Sequence, residues 1–286
     1  MIAAQMPIAV TGSTGQLGGR VARRLTELGV DQRLLVRDAA RAPALPGSHV
    51  ATADYGDRAA VRAALSGIHT LLMVSASETP DRVERHLAFL DEAVEAGVQR
   101  IVYVSFFGAS ATATFTLARD HWATEEHLRS TGLAHTILRD NLYADFTPFM
   151  IGSDGSIRGP AGDGRAAVVA QDDIAEVAAT ILTSSGAYDG RTLNLTGPDA
   201  LTMDEIATIL SDHLGRSVSY VPETIEEAYE SRASYGAPSW QVDAWVSTYT
   251  AIAAGELAGV SEDIAEVTGH PPMALQQVLA AAADHS

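Results

Sequence analysis

The run Ile8-Ala9-Val10-Thr11-Gly12-Ser13-Thr14-Gly15-Gln16-Leu17-Gly18 puts three glycines, evenly spaced, directly behind a short apolar, β-prone segment. Val21, Leu25 and Leu28 then recur at helical spacing, so the stretch predicts strand, glycine turn, helix. Gly12 allows a tight turn out of the strand, Gly15 lets backbone N–H groups approach a pyrophosphate, and Gly18 lets the helix pack closely on a sheet. Phosphates would rest on the positive end of the helix dipole, where unpaired N–H groups already point outward. The spacing is G-x-x-G-x-x-G rather than G-x-G-x-x-G, and three glycines by themselves also describe an ordinary βα turn. Their place, after the first strand and opening a helix, favours dinucleotide binding.

The downstream chain supports that reading. Residues 32–36 form a second strand ending at Arg37. In a dinucleotide fold this point, about 20 residues past the glycines, meets the adenosine ribose. An acid there accepts from the 2′-hydroxyl of NAD, whereas an arginine offers a forked donor to a 2′-phosphate. Arg37, with Arg41 following it, therefore favours NADP(H). Asp38 keeps a ribose contact in play, and a solvated strand-end arginine is the bland alternative. A weak third strand, residues 49–53, closes on Asp54-Tyr55-Gly56-Asp57, where an acid and an aromatic suit the adenine amino group and ring face. Asp57 competes as a helix cap.

Residues 68–74 form a nearly continuous apolar run, as expected of a parallel strand covered on both faces. It closes on Ser75-Ala76-Ser77, small enough for a cofactor to pass near the backbone. A helix over 81–97, a strand over 100–104, a helix over 119–131 and a strand over 134–138 follow. The alternation specifies α/β architecture with a doubly wound parallel (Rossmann) sheet. After residue 144 the pattern becomes aromatic and loop-rich. Strands are then expected at 166–170, 191–196 and 218–221, and helices at 173–183, 202–214, 225–231, 241–254 and 274–283. The expected division is a Rossmann domain over 1–145, rejoined by 165–197, and a smaller, mostly helical substrate-binding domain from 146–164 and 198–286.

Composition narrows the chemistry. Acidic residues outnumber basic ones by 36 to 19, so the surface repels phosphate backbones and anionic membranes, and nucleic-acid or membrane partners are not expected. There is no cysteine, which excludes disulfides, thiolate nucleophiles and cysteine-ligated metals. Every basic residue is arginine, so Schiff-base and phosphate-loop lysines are excluded as well. No apolar run is long enough to span a bilayer, and residues 1–7 lack a basic region and are short for a signal peptide, so a cytoplasmic location is expected.

A glycine turn, Arg37 and a strand ending in Ser105 resemble the short-chain dehydrogenase/reductase superfamily, whose usual mechanism adds Tyr-x-x-x-Lys on the next helix. Residues 109–129 contain no tyrosine and the chain contains no lysine, so that proton transfer is missing. Ser105 then reads equally well as a strand end. In combination, Thr11-Gly12-Ser13-Thr14-Gly15-Gln16-Leu17-Gly18, Val36-Arg37, Ala53-Asp54-Tyr55-Gly56-Asp57, Ser75-Ala76-Ser77, Leu138-Arg139-Asp140-Asn141, Gly162-Asp163-Gly164 and Thr268-Gly269-His270-Pro271-Pro272 are similar to the atypical short-chain reductases of the NmrA-like family, and within it to the NAD(P)H:quinone oxidoreductase type 2 group. That group lacks the tyrosine–lysine pair. The resemblance implies NADPH binding through Gly12, Ser13, Thr14, Gly15, Gln16, Leu17 and Arg37, cofactor contact at Val74, Ser75 and Ala76, and nicotinamide or substrate contact near Asn141.

A quinone asks for little acid–base help, because hydride arrival leaves an anion that needs only a hydrogen-bond donor. Asn141, His121 and Tyr143 are the candidates for that donor. Asn141 could instead form an Asx turn, and His121 could cap a helix or face solvent. Phe107, Phe149, Tyr143 and Trp240 are candidate walls for a flat substrate, with core packing as the alternative. The expected function is hydride transfer from NADPH to a quinone or similar acceptor, without flavin or metal, by a monomer or homodimer. A triarylmethane dye, an enone or a biosynthetic ketone as acceptor, or a non-catalytic dinucleotide sensor, are the alternatives.

Overall fold

The computed structural model describes residues 8–283, so the 1–7 segment read above for targeting signals lies outside the described residues. In chain order the elements are β1 (Ile8–Thr11), α1 (Gln16–Glu27), β2 (Gln32–Val36), β3 (Ser48–Thr52), α2 (Arg58–Leu65), β4 (Thr70–Val74), α3 (Arg82–Glu95), β5 (Arg100–Phe106), α4 (Thr116–Ser130) and β6 (Ala134–Asp140). They continue with β7 (Ser156–Gly159), β8 (Arg165–Ala166), α5 (Gln171–Thr183), β9 (Thr192–Leu195), β10 (Leu201–Thr202), α6 (Met203–Leu214), β11 (Ser219–Pro222), α7 (Ile225–Arg232), α8 (Ser239–Ala253), α9 (Asp263–Thr268) and α10 (Leu275–Ala283). Seven strands form one parallel sheet in the order β3-β2-β1-β4-β5-β6-β9. The reversal of direction beside β1 is the doubly wound arrangement the alternation predicts.

The chain divides into two compact units. One comprises the described residues up to Ser105 together with 120–139 and 171–193; the other comprises 106–119, 140–170 and the described residues from 194 onward. Segments 106–119, 140–145, 165–170 and 194–197, expected with the Rossmann part, thus lie in the second unit. The reason is apolar: Phe106 meets Phe115 edge-on at 4.9 Å, and both join Ala166, Val168, Ile206 and Leu210 in one buried cluster.

In the first unit, β4 and β5 bury Leu71, Leu72, Met73, Ile101, Val102 and Tyr103 completely. Helix α1 buries Val21, Ala22 and Leu25 on its inner face, and each of the larger two contributes roughly 1.5–3 kcal/mol on leaving water. Leu28, read as part of that face, is instead the helix C-cap and is 60% exposed. Helix α5 lies beside α1, with Arg20 Nε donating to Asp172 at 2.9 Å.

The second unit holds two small sheets, β10 with β8 and β11 with β7. The expected strand over 166–170 shrinks to β8 and one bridge between Tyr143 and Val169, because two-residue β10 is all that pairs with it. The two strands and the short helix that pattern reading does not find there are β7, β10 and α9. Helix α6 opens on a full capping box, Thr202 with Glu205, as its sequence predicts.

Candidate active site

The turn after β1 has the features a phosphate needs. Gly12 takes φ +67°, and a Cβ there would press on Val74 Cβ at 3.0 Å. A Cβ on Gly18 would run into the backbone carbonyls of Gly12 and Thr11, so the start of α1 sits directly on the turn. Gly15 caps α1 without a side chain, and no acid occupies the first turn, so neither covers the helix's leading N–H groups. Thr14, Gly15 and Gln16 are exposed, while Leu17 turns into the core. Ser13 is 3% exposed, and its Oγ has no hydrogen-bond partner. A buried hydroxyl left unpaired costs about 1–3 kcal/mol, a cost an anionic ligand oxygen would remove. The cradle therefore fits a pyrophosphate.

Arg37 stands exposed just past β2, and Arg41 is exposed one helical turn on; neither side chain has a hydrogen-bond or ion-pair partner among the described residues. Asp38, which offered a ribose contact, accepts from Ala40 N at 2.9 Å and caps the 3-10 turn Ala39–Arg41. The donors of the arginine pair are therefore uncommitted among the described residues, while Asp38 Oδ1 is occupied by the backbone.

The end of β4 is latched from below by a buried polar layer. Thr11 Oγ1 accepts from Val74 N at 2.8 Å, and Tyr55 Oη donates to Val74 O at 2.7 Å. Ala76 is held at both backbone groups: its N–H donates to His86 Nε2 at 2.9 Å, and its carbonyl accepts from Arg82 Nε at 3.0 Å. Because His86 Nε2 is an acceptor there, its proton sits on Nδ1, which faces Thr124 Oγ1 at 3.0 Å. Burial and the Arg82 guanidinium push His86 down to about 3, so it is neutral across physiological pH. Val74, Ser75 and Ala76, half-buried, are thus set as a rigid rail beside Gly12.

Several candidates turn out to belong to this scaffold. The Tyr55 ring is stacked on Phe89 at 4.1 Å and so is not presented to an adenine. Asp54 Oδ1 accepts from Gly56 N and from Arg85, closing its own turn. Asp57 caps α2 through Ala60 N. His121 neither caps a helix nor meets solvent: it is 6% exposed, with Nδ1 2.9 Å from Tyr103 Oη and Nε2 3.0 Å from Arg82. Burial, helped by Arg82, holds it well below the ordinary histidine range, so it is neutral, and because Nε2 accepts from Arg82 its one ring proton sits on Nδ1, committed to Tyr103.

Ser105 is likewise committed, donating to Glu125 at 2.5 Å. Glu125, fully buried, also receives both arms of Arg139 at 2.9 and 2.6 Å and Arg129 at 3.0 Å. Helix α4, which in short-chain reductases supplies tyrosine and lysine, here supplies His121, Thr124 and Glu125 as buried ties. Sequence reasoning missed Arg82, His86, Thr124 and Glu125. Their one signal is polar residues recurring on the inner faces of α3 and α4.

The second unit carries the remaining candidates. Asn141 is 1% exposed; Nδ2 donates to Leu257 O at 3.0 Å, and Oδ1 accepts from Leu142 N at 2.8 Å. Its amide spans two chain segments, which is a positioning role. Tyr143, half-buried, donates to Asp140 Oδ2 at 2.8 Å. Phe107 is packed against the buried cluster, and Gly259 lies so close that a Cβ there would strike its ring. Phe149 is 76% exposed and stacks on Phe146 at 5.8 Å. Trp240 is half-buried in the first turn of α8.

A parallel sheet with the β3-β2-β1-β4 order and a glycine cradle at the first βα turn defines a Rossmann-type dinucleotide-binding protein. The model of the NmrA-like family matches residues 5–237, and the chain belongs to that family. It is 33% identical to quinone oxidoreductase 2 of Escherichia coli over 280 residues, 94% of this chain and 96% of that one. A crystal structure of the Escherichia coli NADPH-dependent quinone oxidoreductase with NADPH superposes with a TM-score of 0.87 at 32% identity, covering 96% of this chain and 99% of that one. The Citrobacter triphenylmethane reductase complexed with NADP(H) superposes with a TM-score of 0.85 at 31% identity over 96% and 99%. Among the described residues no helix is long and apolar enough to cross a membrane.

Proposed function

We propose that this chain transfers hydride directly from NADPH to a quinone. The chain is an NADP(H)-dependent oxidoreductase, and relatives that reduce quinones and triphenylmethane dyes support flat aromatic acceptors as its substrate class. The observation that carries the reading is the uncapped cradle at Gly12–Gly15–Gly18, with the orphan Ser13 hydroxyl inside it and the uncommitted Arg37 and Arg41 beyond β2.

In this reading the first-turn amides of α1 and Ser13 hold the pyrophosphate, and Arg37 with Arg41 clamps the 2′-phosphate. The Val74–Ala76 rail supports the nicotinamide half. When bound, the reduced nicotinamide supplies the hydride. The chain's own task is then orientation and exclusion of water, because a quinone is already electrophilic and requires only a donor at its oxygen. This explains how the reaction proceeds without a tyrosine–lysine pair. With a net charge of −17, the surface disfavours nucleic acid as a partner.

The test is NADPH oxidation by protein stripped of metal and flavin, against a panel of quinones, triarylmethane dyes and enones. Turnover with quinones foremost is expected. Tight NADPH binding with no acceptor reduced would point instead to a dinucleotide sensor.

A further inference from the structure

We propose that Arg82 and His86 are positioning residues for hydride transfer: by holding both peptide groups of Ala76, they fix the support on which the nicotinamide half of the cofactor is aligned. The inference rests on the reading above of Val74–Ala76 as that support.

The topology says which half of the cofactor β4 can serve. In the order β3-β2-β1-β4 the strand order reverses at β1, and a ligand in an open α/β sheet lies outside the carboxyl ends of the strands at that point. Gly12 follows β1, where the cradle fits the pyrophosphate, and Arg37 follows β2 on one side of it. The 2′-phosphate belongs to the adenosine half, so β4, on the other side, is left for the nicotinamide half. Val74 ends β4 against that turn, since a Cβ on Gly12 would lie 3.0 Å from the Val74 Cβ. Ser75 and Ala76 come next, half-buried, and Ser77 is exposed, so small side chains leave the backbone open to a ligand there.

Beneath Ala76 the hydrogen bonds run in two continuous chains. Its N–H donates to His86 Nε2 at 2.9 Å, His86 Nδ1 donates to Thr124 Oγ1 at 3.0 Å, and Thr124 Oγ1 donates to Asp120 O at 2.8 Å. Its carbonyl accepts from Arg82 Nε at 3.0 Å, while the other two guanidinium nitrogens reach Asp120 Oδ2 at 3.3 Å and His121 Nε2 at 3.0 Å. His121 Nδ1 carries this second chain to Tyr103 Oη at 2.9 Å. His86, Thr124 and Tyr103 are fully buried, Arg82 is 4% exposed, and every member belongs to the first unit. Taking a guanidinium out of water is costly, and apolar side chains of similar volume would pack there at least as well. Apolar side chains cannot fix two consecutive peptide planes. Tied at both N–H and C=O, Ala76 keeps one backbone conformation when a ligand arrives. Hydride transfer needs that constancy, because a misplacement of about 1 Å costs roughly 10²-fold in rate.

The experiment measures single-turnover hydride transfer, together with the affinities for NADPH and for 2′,5′-ADP, which carries only the adenosine half. It compares wild type, His86→Leu, His86→Gln and Thr124→Val. Leucine leaves the Ala76 N–H unpaired, whereas glutamine keeps an acceptor for it. His86→Leu should transfer hydride roughly 10²-fold more slowly. It should bind NADPH roughly two- to tenfold more weakly, the worth of one hydrogen bond, with the affinity for 2′,5′-ADP unchanged. His86→Gln should regain most of both losses. Thr124→Val, which frees the His86 ring at Nδ1, should fall between them, and it decides the question should His86→Leu fail to fold. A hydride-transfer rate unchanged in the folded variants, or losses shared equally by NADPH and 2′,5′-ADP, overturns the positioning role and leaves the reductase standing. A wild type that reduces no acceptor overturns the reductase reading, and the two affinities then decide this one.

Discussion

Arg37 and Asn141 show how differently two polar residues at strand ends can be used. Arg37 is exposed and uncommitted, so its guanidinium is available for a ligand that carries a phosphate at the ribose. Arg37→Ala is expected to weaken NADPH binding by roughly ten- to a hundredfold, the loss of charge-assisted bonds at about 1.5–3 kcal/mol, and NADH binding hardly at all. Calorimetric titration with both nucleotides reads this directly, and equal losses would sink the clamp. Asn141 is buried, and its amide bridges Leu257 and Leu142. Asn141→Ala leaves the Leu257 carbonyl without that donor, so it is expected to cost about 1–3 kcal/mol in denaturant unfolding. A variant as stable as wild type but poor in turnover would return Asn141 to the chemistry. Both residues stood out in the sequence, yet only the setting of Arg37, exposed just past β2, could be read there. An arginine's place at a strand end is a local feature, whereas Leu257 lies 116 residues from Asn141 and has no local signal.

At the scale of elements, the decisive piece is the rail at the end of β4, which depends on α3 and α4. The strand itself was legible: a parallel strand covered on both faces shows as a continuous apolar run, and small residues after it mark a close approach. The latch was not. Arg82, His86 and Thr124 look like polar positions on amphipathic helices, and pairing His86 with Thr124 links residues 38 apart through tertiary structure alone. Short elements were hidden for a simpler reason. Strand β7, Ser-Ile-Arg-Gly, has one large apolar residue, and α9 spans six residues, too few for periodicity to show.

The latch has a consequence for stability. His86 is held at about 3 in the fold against 6.5 ordinarily, so its contribution is complete above that ordinary value. As pH falls below it, the unfolded chain takes up a proton that the fold refuses, and stability declines by an amount on the order of a few kcal/mol. Denaturant midpoints measured from neutral pH down to mildly acid pH should show that decline. His86→Gln, which keeps an acceptor for Ala76 N but does not titrate, should show less of it. Identical pH slopes in the two proteins would remove His86 from the account.

For the whole molecule, the alternation of strand and helix announced the Rossmann sheet, and the motif set announced the family. The division into units was harder to read, because 106–119 follows a sheet strand in sequence but buries Phe106 and Phe115 in the second unit's apolar cluster. Apolar residues of that kind advertise burial without naming a partner. The net charge of −17 with nineteen arginines and no lysine places any cationic recognition on guanidinium groups, consistent with the use assigned to Arg37. The central claim is direct hydride transfer from NADPH to a flat acceptor. Single-turnover mixing of flavin-free protein with a quinone and NADPH deuterated at the reactive nicotinamide carbon tests it most directly. A primary isotope effect on acceptor-dependent oxidation is expected. Oxidation that requires added flavin, or none with any acceptor, would contradict it.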